Sequence, residues 1–223
     1  MRHLAVGDIH GCFESLKMLA SFVPFQPADQ IITLGDYVNR GPGSCAVLDW
    51  LIARHKNGNL VPLRGNHELM MLRARDSEEG YKRWIESGGD ATLRSYSPFE
   101  DAGRLVDVPD PHWQFLEEHT LPWFESEKHF FVHANAYPDC PLAEQPDYML
   151  YWEQFDNPPP HESGKAMVCG HTPQKTGLPL NLGHAVCIDT WACGKGWLTC
   201  LDVDSGRYWQ ANERGETRSD WLN

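Results

Sequence analysis

Three short segments place carboxylates, imidazoles and an amide directly after apolar runs: Gly7-Asp8-Ile9-His10-Gly11, Gly35-Asp36-Tyr37-Val38-Asn39-Arg40-Gly41 and Gly65-Asn66-His67-Glu68. Two more lie further along, His133-Ala134-Asn135 and Gly170-His171-Thr172. Oxygen and imidazole donors without a thiolate form a hard-to-borderline ligand set, suited to Mn, Fe, Zn or Ni. Asp8 and His10 flank one turn and can reach one cation. Asn66, His133 and His171 can reach a second, and Asp36 can bridge the two. Two cations sharing a carboxylate and a water suit in-line displacement at phosphorus, because the shared water loses a proton more readily and becomes the nucleophile.

These residues work together only if strands deliver them to one rim. His3 to Val6, Gln30 to Leu34 and Leu60 to Arg64 read as buried strands that end in a glycine turn. Glu14 to Phe22 and Ser44 to His55 read as amphipathic helices between them. The β-α-β-α-β order makes the strands parallel neighbours, and open α/β sheets bind ligands beyond the carboxyl ends of their strands. Helices are expected at Glu68 to Ala74 and Glu78 to Ser87, where Gly88-Gly89 interrupts, and from an Asp110 N-cap to His119. No strand is expected in this stretch before His129 to Val132. Strands return at Met167 to Cys169, Ala185 to Ile188, Trp197 to Val203 and Arg207 to Gln210, the last two joined by an Asp204-Ser205-Gly206 hairpin turn.

Composition narrows the function classes. The chain has 223 residues, 41% of them hydrophobic, enough for a sizeable core. A net charge of −12 repels a phosphate backbone, so nucleic acid and membrane are not expected partners. No apolar run suits a signal peptide or a bilayer span, and mean hydropathy is −0.48. Seven scattered cysteines without a Cys-x-x-Cys pair read as reduced thiols in a cytoplasmic protein. The length leads us to expect one domain over residues 1–223 and no separate targeting or regulatory domain. The −12 then describes the outer surface, while two divalent cations bring about +4 to the cleft.

The five segments, in this order and spacing, resemble those of the PPP-type metallophosphoesterases, the phosphoprotein phosphatase family, and most of all its small bacterial and bacteriophage members. The resemblance runs from Gly7 to Ile188-Asp189-Thr190. It implies an α/β fold (α+β in layout), a four-layer α/β/β/α metallophosphatase sandwich with mixed sheets and a helical lobe at about residues 69–128. It also implies two divalent metal ions, Mn foremost with Fe, Zn or Ni as alternatives. Asp8, His10 and Asp36 would hold one, and Asp36, Asn66, His133 and His171 the other. His67 would be the general acid and Arg40 the phosphate clamp. Chemistry supports both last roles, since an imidazole donates a proton near neutral pH and a guanidinium fork matches two phosphate oxygens.

Two departures from the family bear on substrate. Asn39 stands where relatives carry an aspartate that orients the acid, so His67 should have a lowered pKa. Leu150 to Phe155 contains no second phosphate-binding arginine, with Lys165, Arg73 or Arg94 as possible replacements. The expected activity is hydrolysis of phosphomonoesters on a phosphorylated protein (Ser/Thr, or Tyr) or on a small phosphate ester. The alternatives are a dinucleoside polyphosphate hydrolase or phosphodiesterase, and a weakly active binder of phosphorylated partners. His184 is expected to be structural, and His112, His119, His129 and His161 solvated. The turn from Trp191 to Trp197 either lines the cleft or packs as a glycine turn.

Overall fold

The computed structural model describes residues 1–97 and 103–223; residues 98–102, within the expected helical lobe, lie outside the described residues. The chain opens with β1 (His3–Val6), α1 (Phe13–Phe22), β2 (Gln30–Thr33), α2 (Ser44–Lys56) and β3 (Leu60–Pro62). Helices follow: α3 (Asn66–Arg73), α4 (Glu78–Trp84), α5 (Asp90–Ser95) and α6 (Asp110–Gln114). Next come β4 (Trp123–Glu125), β5 (His129–Val132), α7 (Asp147–Tyr151), β6 (Ala166–Cys169), β7 (Leu180–Asn181) and β8 (Ala185–Cys187). The chain closes on β9 (Leu198–Asp202), β10 (Arg207–Ala211) and β11 (Thr217–Trp221).

Two mixed sheets result. One has the order β11-β10-β9-β1-β2-β3, the other β4-β5-β6-β8-β7. Within them β1, β2 and β3 run parallel, as do β5, β6 and β8. Alternate side chains point to opposite faces of a strand. Ala5, Ile32, Phe131, Val168, Val186 and Leu201 therefore meet between the sheets. Their neighbours Leu4, Val6, Ile31 and Cys200 turn outward to α1, α2 and the helical segment. On the other side Phe130, Val132, Met167 and Cys187 turn outward to Leu142, Leu150, Tyr151 and Phe155. The molecule is a mixed α/β sandwich of two sheets, in the layout that the resemblance implies, its fourth layer reduced to α7 and loops.

In the middle of the chain one expectation of the sequence reading holds and two do not. Gly88-Gly89 interrupts the helical run as expected: Gly88, at φ 96°, kinks the backbone between α4 and α5. That kink leaves the Gly88 carbonyl free to accept the Arg40 N–H at 3.0 Å. Pro109, not Asp110, caps α6, and Asp110 sits in the first turn. A strand, β4, does precede His129, pairing antiparallel with β5. The short β7 and the largely exposed β11 were not foreseen either.

Candidate active site

All five motif segments leave the carboxyl ends of parallel strands: Asp8 and His10 follow β1, Asp36 to Arg40 follow β2, and Asn66 and His67 open α3 after β3. His133 follows β5 and His171 follows β6. The turns are tight enough to force left-handed backbone. His10 (φ 46°), Asp36 (53°), Asn39 (73°), Arg40 (70°) and His171 (63°) are five of seven such non-glycine residues among those described. Side chains pay a steric penalty in this region, which persists where surrounding structure over-determines it, typically at functional sites. Gly65 admits no side chain, because a Cβ there would run into the backbone nitrogen and carboxylate of Asp36.

Asp36 is the shared centre. Its Oδ2 lies 3.3 Å from His10 Nε2 and 3.9 Å from His67 Nε2, while Oδ1 lies 3.4 Å from His133 Nε2. Two groups of close ligand atoms thus meet in it, His10-Asp36-His67 and Asp36-His133-His171. Asn66 joins the second, its Oδ1 being 2.9 Å from His133 Nε2 and 3.1 Å from His171 Nδ1. Three imidazoles are aimed by backbone carbonyls. His10 Nδ1 donates to Val38 O (3.0 Å), His133 Nδ1 to Leu34 O (2.8 Å) and His171 Nε2 to Trp152 O (3.2 Å). Each ring then presents its other nitrogen, a lone-pair donor, toward Asp36 or Asn66.

Residues that the sequence reading gave no role hold this frame. Glu68 is fully buried, and its carboxylate accepts the N–H groups of Gly65, Asp36 and Tyr37, each at 2.8 Å. It thereby ties the turn after β2 to the start of α3. Thr92 reaches the site from α5, taking the Asn39 N–H at 2.8 Å and standing 3.0 Å from Asn39 Oδ1. Glu68 stands inside the quoted Gly65-Asn66-His67-Glu68 motif, where its place at the third helical position is the signal, whereas Thr92 is 53 positions from Asn39 and has none.

His67 poses a hydrogen-bond puzzle. Asn39 Nδ2 is placed 2.6 Å from His67 Nδ1, and Arg40 Nη2 lies 3.1 Å from His67 Nε2. Both facing atoms are donors, yet a neutral imidazole carries one proton of its own. Turning the Asn39 amide resolves this: Nδ1–H donates to Asn39 Oδ1, Asn39 Nδ2 donates to Thr92 Oγ1, and Thr92 donates to Ser44 Oγ (3.1 Å). Burial, then His10 and Arg40, hold the His67 pKa below the ordinary imidazole range. Arg40 Nη1 also donates to His10 Nε2 at 2.8 Å.

The electrostatics call for positive charge. Burial, then Asp189 and Asp36, holds Asp8 well above the usual carboxylate range. Burial raises Asp36 to about 7 and Asp189 to about 6. Burial also lowers His10 to about 3, His133 to about 4 and His171 to about 3, so all three are neutral ligands at pH 7. Asp8 belongs to neither ligand group; both its oxygens accept the His171 N–H, at 3.1 and 3.0 Å. Asp189, past the end of β8, is a buried carboxylate that the sequence reading quoted without a role.

The proposed replacements for a second arginine separate clearly. Lys165 pairs with Glu125 (2.7 Å) beside β4, and Arg94 with Asp90 (2.7 Å) on α5. Arg73 instead lines a groove beside Trp152. Cys193 of the Trp191–Trp197 turn comes against Arg40, so that turn borders the site. His184 is structural, bonded to Pro158 O at 2.7 Å. His112 and His161, expected to be solvated, are buried: His112 bridges Tyr96 (2.8 Å) and Asp49 (3.0 Å), and His161 bonds Ser163 and Cys140 O.

Comparison with known proteins agrees with this geometry. The family model described as calcineurin-like phosphoesterase matches residues 1–175. The symmetrical bis(5'-nucleosyl)-tetraphosphatase of Pseudomonas fluorescens strain SBW25 is 41% identical over 146 residues, which are 65% of this chain and 46% of that protein. The chain spans less than half the length of the curated relatives it matches. A crystal structure provisionally assigned as a diadenosine tetraphosphatase superposes with a TM-score of 0.64 at 19% identity, covering 99% of this chain and 93% of that one. The cold-active protein-tyrosine phosphatase of a psychrophilic Shewanella gives 0.60 at 18%, covering 98% and 80%. At those identities the likeness concerns the fold. The family match spans the loops that carry Asp8, Asp36, Asn66, His133 and His171, and the chain belongs to the calcineurin-like phosphoesterases.

Proposed function

We propose that this chain hydrolyses dinucleoside polyphosphates at a two-metal centre, water cleaving a P–O–P bridge. The observation that carries this reading is the 41% identity to a symmetrical bis(5'-nucleosyl)-tetraphosphatase. It favours the second of the substrates suggested by the sequence over a phosphorylated protein.

The donor set suits two divalent cations. His10 and Asp36, with Asp8, would hold one; Asp36, Asn66, His133 and His171 would hold the other. When bound, the pair supplies Lewis acidity at the phosphoryl oxygens and an activated water. Arg40, exposed at the rim, offers two guanidinium donors to the non-bridging oxygens, where charge grows in the transition state. His67 delivers a proton to the departing oxygen, and Asn39 accepts from its Nδ1–H without adding negative charge. That weak support for the imidazolium suits an anhydride. A departing nucleoside diphosphate leaves on a phosphate oxygen whose pKa is about 6, whereas a serine alkoxide requires a proton.

The test compares turnover of diadenosine tetraphosphate with that of a phosphoserine peptide, with Mn, Fe, Zn and Ni added singly and products separated by anion exchange. We expect diadenosine tetraphosphate to be consumed to ADP alone: one tetraphosphate and one water give two ADP. Faster turnover of the phosphopeptide would overturn the reading.

A further inference from the structure

Helix α3 starts at Asn66 and carries Met70 and Arg73 on the same face, four and seven residues on. At 1.5 Å per residue, Arg73 stands about 10 Å along the axis from Asn66. Met70, Arg73, residues of α4 and Trp152 line a groove of about 640 Å³. The carbonyl of that same Trp152 accepts the His171 ring N–H. Groove and ligand cluster therefore share a wall. Two cations and two carboxylates line the groove. Arg83 is engaged by Glu79, while Arg73 has no ion-pair partner among the described residues. Asp76 completes the set.

This combination complements a nucleotide. A half-exposed indole offers a flat face on which a base can stack, whatever its identity. A guanidinium with uncommitted donors matches a phosphate, and carboxylates accept from ribose hydroxyls or an exocyclic amine. The groove is also of the size that small-molecule sites have.

We propose that this groove holds one nucleoside end of the substrate, with Trp152 against the base and Arg73 on the neighbouring phosphate. The assignment rests on the dinucleoside polyphosphate reading above and adds the residues that select for it. Arg73 thereby does on α3 what the missing arginine of the Leu150 to Phe155 segment would otherwise do.

The test measures kcat and KM of Arg73→Gln and Trp152→Leu on diadenosine tetraphosphate and on p-nitrophenyl phosphate. Trp152→Leu retains the carbonyl that aims His171, and Arg73→Gln changes an exposed helix end, so its folding is not at risk. Each variant should lower the ratio of kcat/KM for the dinucleotide to that for the small ester about tenfold, through KM. A wild-type protein that cleaves diadenosine tetraphosphate, with the ratio unchanged in both variants, overturns the groove and leaves the substrate reading standing. A wild-type protein that cleaves the small ester and not the dinucleotide overturns both.

Discussion

The two ligand groups that meet at Asp36 differ in what surrounds their imidazoles. In one, His133 and His171 hang from the carbonyls of Leu34 and Trp152 and converge on the neutral amide of Asn66. In the other, His10 and His67 stand edge to face with ring centroids 4.7 Å apart, and Arg40 reaches a nitrogen of each. Of the five left-handed residues of the site, His10, Asn39 and Arg40 lie on this side, His171 lies on the other, and Asp36 is shared. At about 1–3 kcal/mol each, that backbone strain is substantial. Backbone carbonyls aim His10 as well as His133 and His171. Bringing a guanidinium and a proton donor against buried imidazoles needs turns that the chain does not adopt unaided, here clamped by Glu68, Thr92 and the Gly88 carbonyl.

Substitutions can test this division of labour. Asp36→Asn should do the most damage, because both groups use the same carboxylate: turnover should fall by more than about 10³-fold, and elemental analysis should find both metals depleted. Retention of one full equivalent would break the premise that Asp36 serves both sides. Arg40→Ala should lower kcat by about 10²–10³-fold with metal content intact, since only transition-state charge is affected. A loss of metal instead would make Arg40 part of the frame rather than of the chemistry.

Asn39→Asp sharpens the contrast from the other direction. A carboxylate beside Nδ1 favours the imidazolium, so the His67 pKa rises, and the acid stays protonated to higher pH. The basic limb of the pH–rate profile should move upward, with turnover of an alkyl phosphate at pH 8 rising about tenfold and that of diadenosine tetraphosphate changing less. An unmoved profile would remove His67 from proton transfer. Thr92→Val should have the smallest effect, costing about 1 kcal/mol in thermal unfolding as Asn39 loses its partner. Any loss of metal from the His133 side in that variant would show that the two groups are not independent.

Much of the site was legible because the chemistry sits immediately after apolar runs. Asp8, Asp36 and Asn66 each follow a strand and a glycine, so type and place coincide in a few contiguous letters. The same holds for the two-sheet core, where strict alternation sends Ala5 one way and Leu4 and Val6 the other. What escaped lacks a local signature. Trp152 contributes a carbonyl, which every residue has, and Thr92 and Asp189 act across long stretches of chain. The strand β11 is mostly exposed and polar, so no periodicity marks it. Gly88, by contrast, was legible: glycine enters the left-handed region at little cost, and at φ 96° it kinks the chain between α4 and α5.

Asn66 comes from the first sheet, His133 and His171 from the second, and they are 67 and 105 positions from Asn66 in the chain. A cation held by all three would be a removable staple across the sandwich. Unlike a disulfide, such a staple is released when the ligands separate, so it stabilises by binding the folded state and not the unfolded one. All seven cysteines are free, so the cation would be a cross-link that this chain otherwise lacks. Metal loading should therefore slow the parting of the two sheets, and with it the rate of unfolding, independently of any catalytic turnover.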